Sequence, residues 1–356
     1  MTRQEKRNQK DLTKLERQRE LQKYRSAAAG PKAERPPRSR LDTRTEDWDE
    51  MDPVVSERKH KGPAPITLVA TATEEGLVTG IGPGVCRVYG KGVVSICRSM
   101  PGLAVGDRVR FELRCVREIL PRRTTLSRPD PRNPKAKRVL AANVDIVVNV
   151  VSVSSPPLRP GLIDRYLAAI QRGGAKPLLC VNKIDLVQDP RELEVLNIYR
   201  DLGVPVVLCS AATGAGIPEL IGALAGLTCV FTGHSGVGKS SVLNAICPSL
   251  ALATREVGTV DKRGKHTTTS SSLHILANET KLIDTPGIRQ FGLWEIGVDE
   301  LRGYFQEFGA FALRCTYADC THMGEPGCQV QEAARRGDIA PARLASYLRI
   351  RETLLE

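Results

Sequence analysis

The sequence predicts a multidomain α/β protein: an OB-type β-barrel, then a circularly permuted α/β P-loop domain, then a small, mainly helical metal-binding module. Three observations predict it. Short alternating runs punctuated by Gly and Pro turns fill 63–128. From 139 onward strand-like and helix-like text alternates, with its nucleotide-loop motifs in inverted order. Four soft metal ligands crowd into 315–328.

The 356 residues, 41% of them hydrophobic, suffice for two or three packed domains. A formal net charge of +12 favours a polyanionic partner, nucleic acid before an acidic membrane. Aromatics at 4% argue against base recognition on a stacked aromatic platform. The first 25 residues are crowded with Lys, Arg and Glu and lack an export signal's apolar segment. The longest apolar run, VDIVVNVVSV at 144–153, falls short of the ~20 residues a bilayer requires. Seven of the ten cysteines sit singly in strand or helix text, which suits a reducing cytoplasm with one metal site. The expectation is a cytoplasmic monomer without a membrane partner.

Residues 1–62 read as a basic, disordered tail; its first forty residues carry 13 Lys/Arg against 5 Asp/Glu. In 63–128 the runs GVCRVY, VVSICR and DRVRFELRCV read as strands of the barrel. Arg87, Lys91, Arg98, Arg108, Arg110 and Arg114, with three more arginines in PRRTTLSR, suggest a basic face for nucleic acid. PDPRNPKAKR at 129–138 reads as a linker. In 139–296 the strands VDIVVNVVSV, KPLLCVNK, VPVVLCSA and LTCVFTG alternate with four helices, the signature of βαβ units. LHILANETKLIDTPG at 273–287 reads as a strand pair, and 297–356 as helices around the Cys/His cluster.

Gly233-His234-Ser235-Gly236-Val237-Gly238-Lys239-Ser240 matches G-x-x-x-x-G-K-[ST] between a strand and a helix that opens with Ser240 and Ser241. Its backbone N–H groups would cradle phosphate oxygens, Lys239 would meet the β/γ-phosphates, and Ser240 would ligate Mg²⁺. Asn182-Lys183-Ile184-Asp185 follows a strand. An Asp185 carboxylate can accept both N1–H and the exocyclic amine of guanine, whereas adenine would leave that charge unpaired. Asn182 can bridge loops, the Lys183 stem can lie on the base, and a backbone N–H at Ser210-Ala211-Ala212 can meet guanine O6.

Asp284-Thr285-Pro286-Gly287 offers a carboxylate acting on Mg²⁺ through its water and a Gly287 N–H for the γ-phosphate. In the polar loop 253–272, Thr267 or Thr268 would complete the Mg²⁺ site, Thr268 being preferred. Ras-like enzymes place a water-orienting Gln where this chain has Ile288. His266 is the candidate to take over that role. Because ligand loops sit at the carboxyl ends of strands, a circular permutation leaves the site intact. Cys315, Cys320, His322 and Cys328 form a closed set suited to one structural Zn²⁺.

This order, with AANVD, VNKIDL, FTGHSGVGKSS, GKHTTT, DTPGI and CTYADCTHMGEPGC, resembles the RsgA (YjeQ) family of small-ribosomal-subunit biogenesis GTPases. The resemblance implies GTP hydrolysis to GDP and phosphate. It also implies docking on the 30S subunit late in assembly, contact with 16S rRNA and stimulation by the subunit. Rival readings are a P-loop ATPase or kinase, which Asp185 disfavours, an RNA-binding scaffold that only senses guanine nucleotide, and a membrane-linked GTPase.

Overall fold

A computed structural model of the chain describes residues 73–130, 133–250, 271–284 and 296–355. The tail 1–62, His266, Thr267, Thr268, Gly287 and Ile288 lie outside them.

Five strands form the barrel: β1 (Glu74–Ile81), β2 (Val85–Gly90), β3 (Val93–Arg98), β4 (Arg108–Glu112) and β5 (Cys115–Ile119). They pair in the order β1-β2-β3-β5-β4, and β4 closes back on β1. The expected OB-type barrel is therefore present, closed by main-chain bonding rather than left with open edges. Its alternating residues point Val78, Cys86, Val88, Cys97, Val109 and Phe111 inward. The basic face is more neutralised than the composition implies. Lys91 pairs with Glu74, Arg108 with Glu75, and Arg110 with Glu75 and Glu118. Arg122 binds the fully buried Asp107 at 2.7 Å, and Arg123 binds Asp145 at 3.0 Å.

Residues 129–138 are not a linker. β6 (Thr125–Asp130) and β7 (Asn133–Ala142) form an antiparallel ribbon over this stretch. Pro129 lies toward the tip of the ribbon, away from the base where Ala141 bridges to Val105. In a two-stranded ribbon half of each strand's N–H groups point out of the ladder, so a missing one costs little there. Leu126, Leu140 and Ala141 anchor the ribbon's base in the core.

The middle domain is a parallel sheet in the order β10-β9-β8-β11-β13. Its strands are β8 (Ile146–Ser152), β9 (Lys176–Asn182), β10 (Val206–Leu208), β11 (Thr228–Thr232) and β13 (Lys281–Asp284). Every residue of β8 is buried, as expected for a strand covered on both faces. Helices α1 (Pro160–Arg172), α2 (Asn197–Asp201), α3 (Ile217–Ala223) and α4 (Lys239–Ile246) connect the strands. The helix expected at LEVLNIYRDLG divides into a tight 3₁₀ stretch, Pro190–Leu196, and the short α2. A capping box between Asp189 and Glu192, with Pro190 behind it, starts that stretch early.

The expected strand pair is β12 (Ser272–Ile275) antiparallel to β13. Unanticipated from sequence, β12 also pairs with β1 of the barrel, Gly80 opposite Ser272. Barrel and nucleotide domain thus share one sheet of 11 strands.

The C-terminal residues form 3₁₀ turns, α5 (Gly309–Ala312), α6 (Gln329–Arg336) and α7 (Pro341–Leu355). Their core is continuous with the outer face of α1: Phe305, Phe308, Tyr347 and Ile350 share one cluster with Tyr166, Ala169 and Ile170. Arg343 of α7 is buried. It donates to Asp164 of α1 at 2.7 Å and to Glu307 at 2.6 Å, and lies 4.3 Å over the Phe305 ring. Arg335 and Arg336 do remain outside, paired with Glu332 and Asp338. Among the described residues no helix is long and apolar enough to cross a membrane.

Candidate nucleotide site and metal centre

Parallel pairing aligns the strand ends. Asn182 pairs with Ser152, Val181 with Leu208, Val230 with Ile283, and Thr232 with Asn149. The loops after β8, β9, β10, β11 and β13 therefore leave from one edge of the sheet, the carboxyl edge where doubly wound folds bind ligands.

Between β11 and α4 the P-loop turns through Gly233, Gly236 and Gly238, at φ 147°, 86° and 87°. Two of these glycines are demanded by close approach. A Cβ at 233 would lie 2.3 Å from the Val150 carbonyl oxygen, and one at 238 would lie 2.3 Å from the Asn182 amide nitrogen. His234, Ser235 and Gly236 face outward, whereas Val237 is buried and pins the loop to the core. Lys239, Ser240 and Ser241 form the first turn of α4. The Ser240 hydroxyl has no hydrogen-bond partner among the described residues, which suits a metal-ligating role.

Asn182 ties the permuted motifs together. Its amide is buried, donates to the Val237 carbonyl at 2.9 Å and accepts from the Ala211 N–H at 3.0 Å. Lys183, in the left-handed region at φ 66°, sends its ammonium back to the carbonyls of Gly236, at 2.8 Å, and Ser155. Burial lowers its pKa from the usual lysine value, with Asp185 opposing. Asp185 itself is exposed in the 3₁₀ turn Ile184–Leu186, on the same loop.

Ser210 is fully buried and donates its N–H to Ala215 at 2.9 Å, while its hydroxyl accepts from Thr213 at 3.2 Å. Ser210 and Ala211 thus organise the third loop against Asn182. Asp284 ends β13 opposite Ser272. The structure brings the P-loop, the Asn182–Asp185 loop and the Ser210–Ala211 loop into contact.

Sequence reasoning missed the thiols beneath this junction. Cys209 lies 3.4 Å from Cys180 and 3.9 Å from the Asn182 oxygen. It missed the Ser155 carbonyl too, because a main-chain acceptor leaves no signature in residue type.

The second constellation is Cys315, Cys320, His322 and Cys328, whose ligand atoms all lie within 4.8 Å of one another. His322 Nδ1 faces the sulfurs of Cys315 at 3.8 Å and Cys328 at 3.4 Å. Zn–S near 2.3 Å and Zn–N near 2.0 Å would hold tetrahedral ligand atoms about 3.6 Å apart, so the residues fit zinc. Burial and the neighbouring thiols push Cys320 up to about 12, so thiolates persist here only around a cation. The loop is held by Glu325, which accepts from the N–H groups of Thr321, Met323 and Gly324 at 2.7, 2.8 and 3.1 Å. A zinc ion held by all four ligands would have no position open for substrate, which suits a structural site.

Comparison with known proteins agrees with this arrangement. Residues 119–294 match the family model "RsgA GTPase". A small ribosomal subunit biogenesis GTPase RsgA of Haemophilus influenzae is 38% identical over 271 residues, 73% of this chain and 78% of that protein. The Pseudomonas aeruginosa protein of the same name is 40% identical over 276 residues, 74% and 80% of the two chains. The crystal structure of YjeQ from Thermotoga maritima superposes with a TM-score of 0.67 at 32% identity, covering 80% of this chain and 99% of that one. The structure of YloQ, a circularly permuted GTPase, gives 0.63 at 26% identity, covering 80% and 95%. With a closed barrel, permuted nucleotide loops and a Cys₃His cluster in one chain, and with this likeness over nearly three quarters of its length, the chain belongs to the RsgA family of GTPases.

Proposed function

We propose that the chain hydrolyses GTP in late maturation of the 30S ribosomal subunit, binding 16S rRNA there and being stimulated by the subunit. The names of the relatives and the net charge of +12 support this reading. The observation that carries its nucleotide half is the buried Asn182 amide, bonded at once to the P-loop and to the Ser210–Ala211 loop.

In this reading Asp185 accepts the two guanine N–H groups, with Asn182, Lys183, Ser210 and Ala211 shaping the pocket. Lys239 and the N–H groups of 233–238 hold the β- and γ-phosphates. Ser240 and Thr268 would hold Mg²⁺ with the Asp284 carboxylate, and the ion would supply charge neutralisation across the phosphates. His266 orients the attacking water in place of the Gln that Ile288 replaces, and the Gly287 N–H meets the γ-phosphate. The water oxygen bonds to the γ-phosphorus as the bond to the bridging oxygen breaks, and GDP leaves. The Cys₃His set holds one structural Zn²⁺.

Domain limits of 63–128, 139–296 and 297–356, with the β6–β7 ribbon between the first two and a basic tail at 1–62, belong to the same proposal. So do a monomeric state and a cytoplasmic location. GTP turnover titrated with purified 30S subunits tests it. The expected result is a rise of about tenfold or more, in line with partner-completed GTPase sites. A flat titration would favour an RNA-binding scaffold that senses GTP without turning it over.

A further inference from the structure

One row of residues crosses the four strands that join the barrel to the nucleotide domain. Arg87 of β2 is the register partner of Gly80 of β1, Gly80 of Ser272 of β12, and Ser272 of Asp284 of β13. Directly opposed residues on antiparallel strands present their side chains to the same face. Strands lie about 4.8 Å apart, so three steps separate the Arg87 and Asp284 backbones by roughly 14 Å.

Gly80 leaves a gap in the row, and Arg87 fills it. A Cβ at position 80 would lie 2.6 Å from Arg87 Nε and 2.7 Å from a terminal guanidinium nitrogen. The guanidinium therefore lies across β1, toward β12. Next in the row the Ser272 hydroxyl is hydrogen-bonded to His274 Nε2 at 2.9 Å. His274 senses both ends: burial lowers its pKa first, Asp284 opposes that shift, and Arg87 adds to it. The half-buried Arg87 and the carboxylate thus act on one half-buried group between them.

We propose that Arg87 is a charge brake on the nucleotide site: laid over Gly80, its guanidinium weakens Mg²⁺ binding beside Asp284, and an RNA phosphate that draws it outward releases the brake. This inference rests on the reading of Asp284 as the magnesium carboxylate, and it gives stimulation by an RNA partner a route through the shared sheet. The physics is direct. A cation along a partly buried row is screened less than one in open solvent, and a divalent ion feels it twice as strongly as a monovalent one.

The test is the Mg²⁺ concentration that half-maximally slows release of a fluorescent, non-hydrolysable GTP analogue from the full chain at low ionic strength, read beside the Mg²⁺ dependence of GTP turnover. Arg87→Ala should lower it by about two- to fivefold, and Arg87→Lys, which keeps the charge, should stay near wild type. Gly80→Ala pushes the guanidinium off the row without changing its charge, so it should lower the value as Arg87→Ala does. The double variant should go no further than either single one. Arg335→Ala, remote and paired with Glu332, should leave the value unchanged.

Asp284→Asn separates the two readings, since it should raise the Mg²⁺ requirement by about tenfold. No change there removes the metal role of Asp284, and the brake with it. A rise there, with no shift in Arg87→Ala, removes the brake alone. Additive effects of Gly80→Ala and Arg87→Ala would also overturn it.

Discussion

Asn182 shows how a single amide decides the site. Its donor and acceptor ends serve two different loops, at 2.9 and 3.0 Å, and both bonds are sheltered from water. Asn182→Ala leaves the Val237 carbonyl and the Ala211 N–H without these partners. The expected loss of stability is about 2–3 kcal/mol, read from the urea midpoint, with GDP affinity falling together with it. Asp185 lies outside that knot, so Asp185→Asn should leave the unfolding midpoint alone. It should cut GTP affinity by about a hundredfold or more and favour xanthosine triphosphate, whose carbonyl can accept from the new amide, as competition for a fluorescent guanine nucleotide would show.

At this scale the sequence speaks through residue type, as in the readings of Asp185 and Lys239, and the Cys₃His ligand atoms do gather within 4.8 Å of one another. It was silent where main-chain groups do the work, as at the Ser155 and Val237 carbonyls. It was silent too on the burial of Arg343, which depends on carboxylate partners, Asp164 and Glu307, distant from it in the chain.

Between elements, Arg343 clamps the C-terminal module to Asp164 of α1, and Cys320 and Cys328 pack in one core cluster with Tyr166, Ala169 and Ile170 of that helix. Removing the guanidinium strands Asp164 and Glu307 in a site where Asp164 is fully buried. Arg343→Ala should therefore cost about 3–5 kcal/mol in chemical denaturation. Arg343→Lys should recover only part of that, since an ammonium cannot fork between two carboxylates. Metal analysis should find one zinc per chain. A strong chelator should lower the melting temperature by loosening the packing of His322 on Phe308 and Tyr347, whose ring centroids are each 6.0 Å from it. GDP affinity should survive that treatment, because the nucleotide loops leave the sheet from β8 to β13 and not from this module. The β6–β7 ribbon teaches a related lesson: Pro-rich text is a reliable breaker inside a sheet but not toward the tip of a two-stranded ribbon.

For the whole molecule, the charge excess sets the terms of partner binding. Affinity for 30S subunits should fall by about tenfold or more between 50 and 200 mM salt, measured by co-sedimentation, as counterion release requires. A weak salt dependence would point away from phosphate contacts. The three-part architecture and the permuted order were readable in advance, because motif order and periodicity are properties of the chain itself. How the parts join was not readable.

The pairing of β12 with β1, the continuous core between α1 and the C-terminal helices, and the burial of Arg343 all link residues distant in sequence. By itself the sequence determined the fold class and the side-chain types and short spacings from which a phosphate cradle, a guanine carboxylate, a magnesium aspartate and four zinc ligands are proposed. Only the tertiary structure decided that the barrel and the nucleotide domain are one sheet. Strand pairing is made by backbone groups that every residue carries, so partners are chosen by packing geometry and not by a motif.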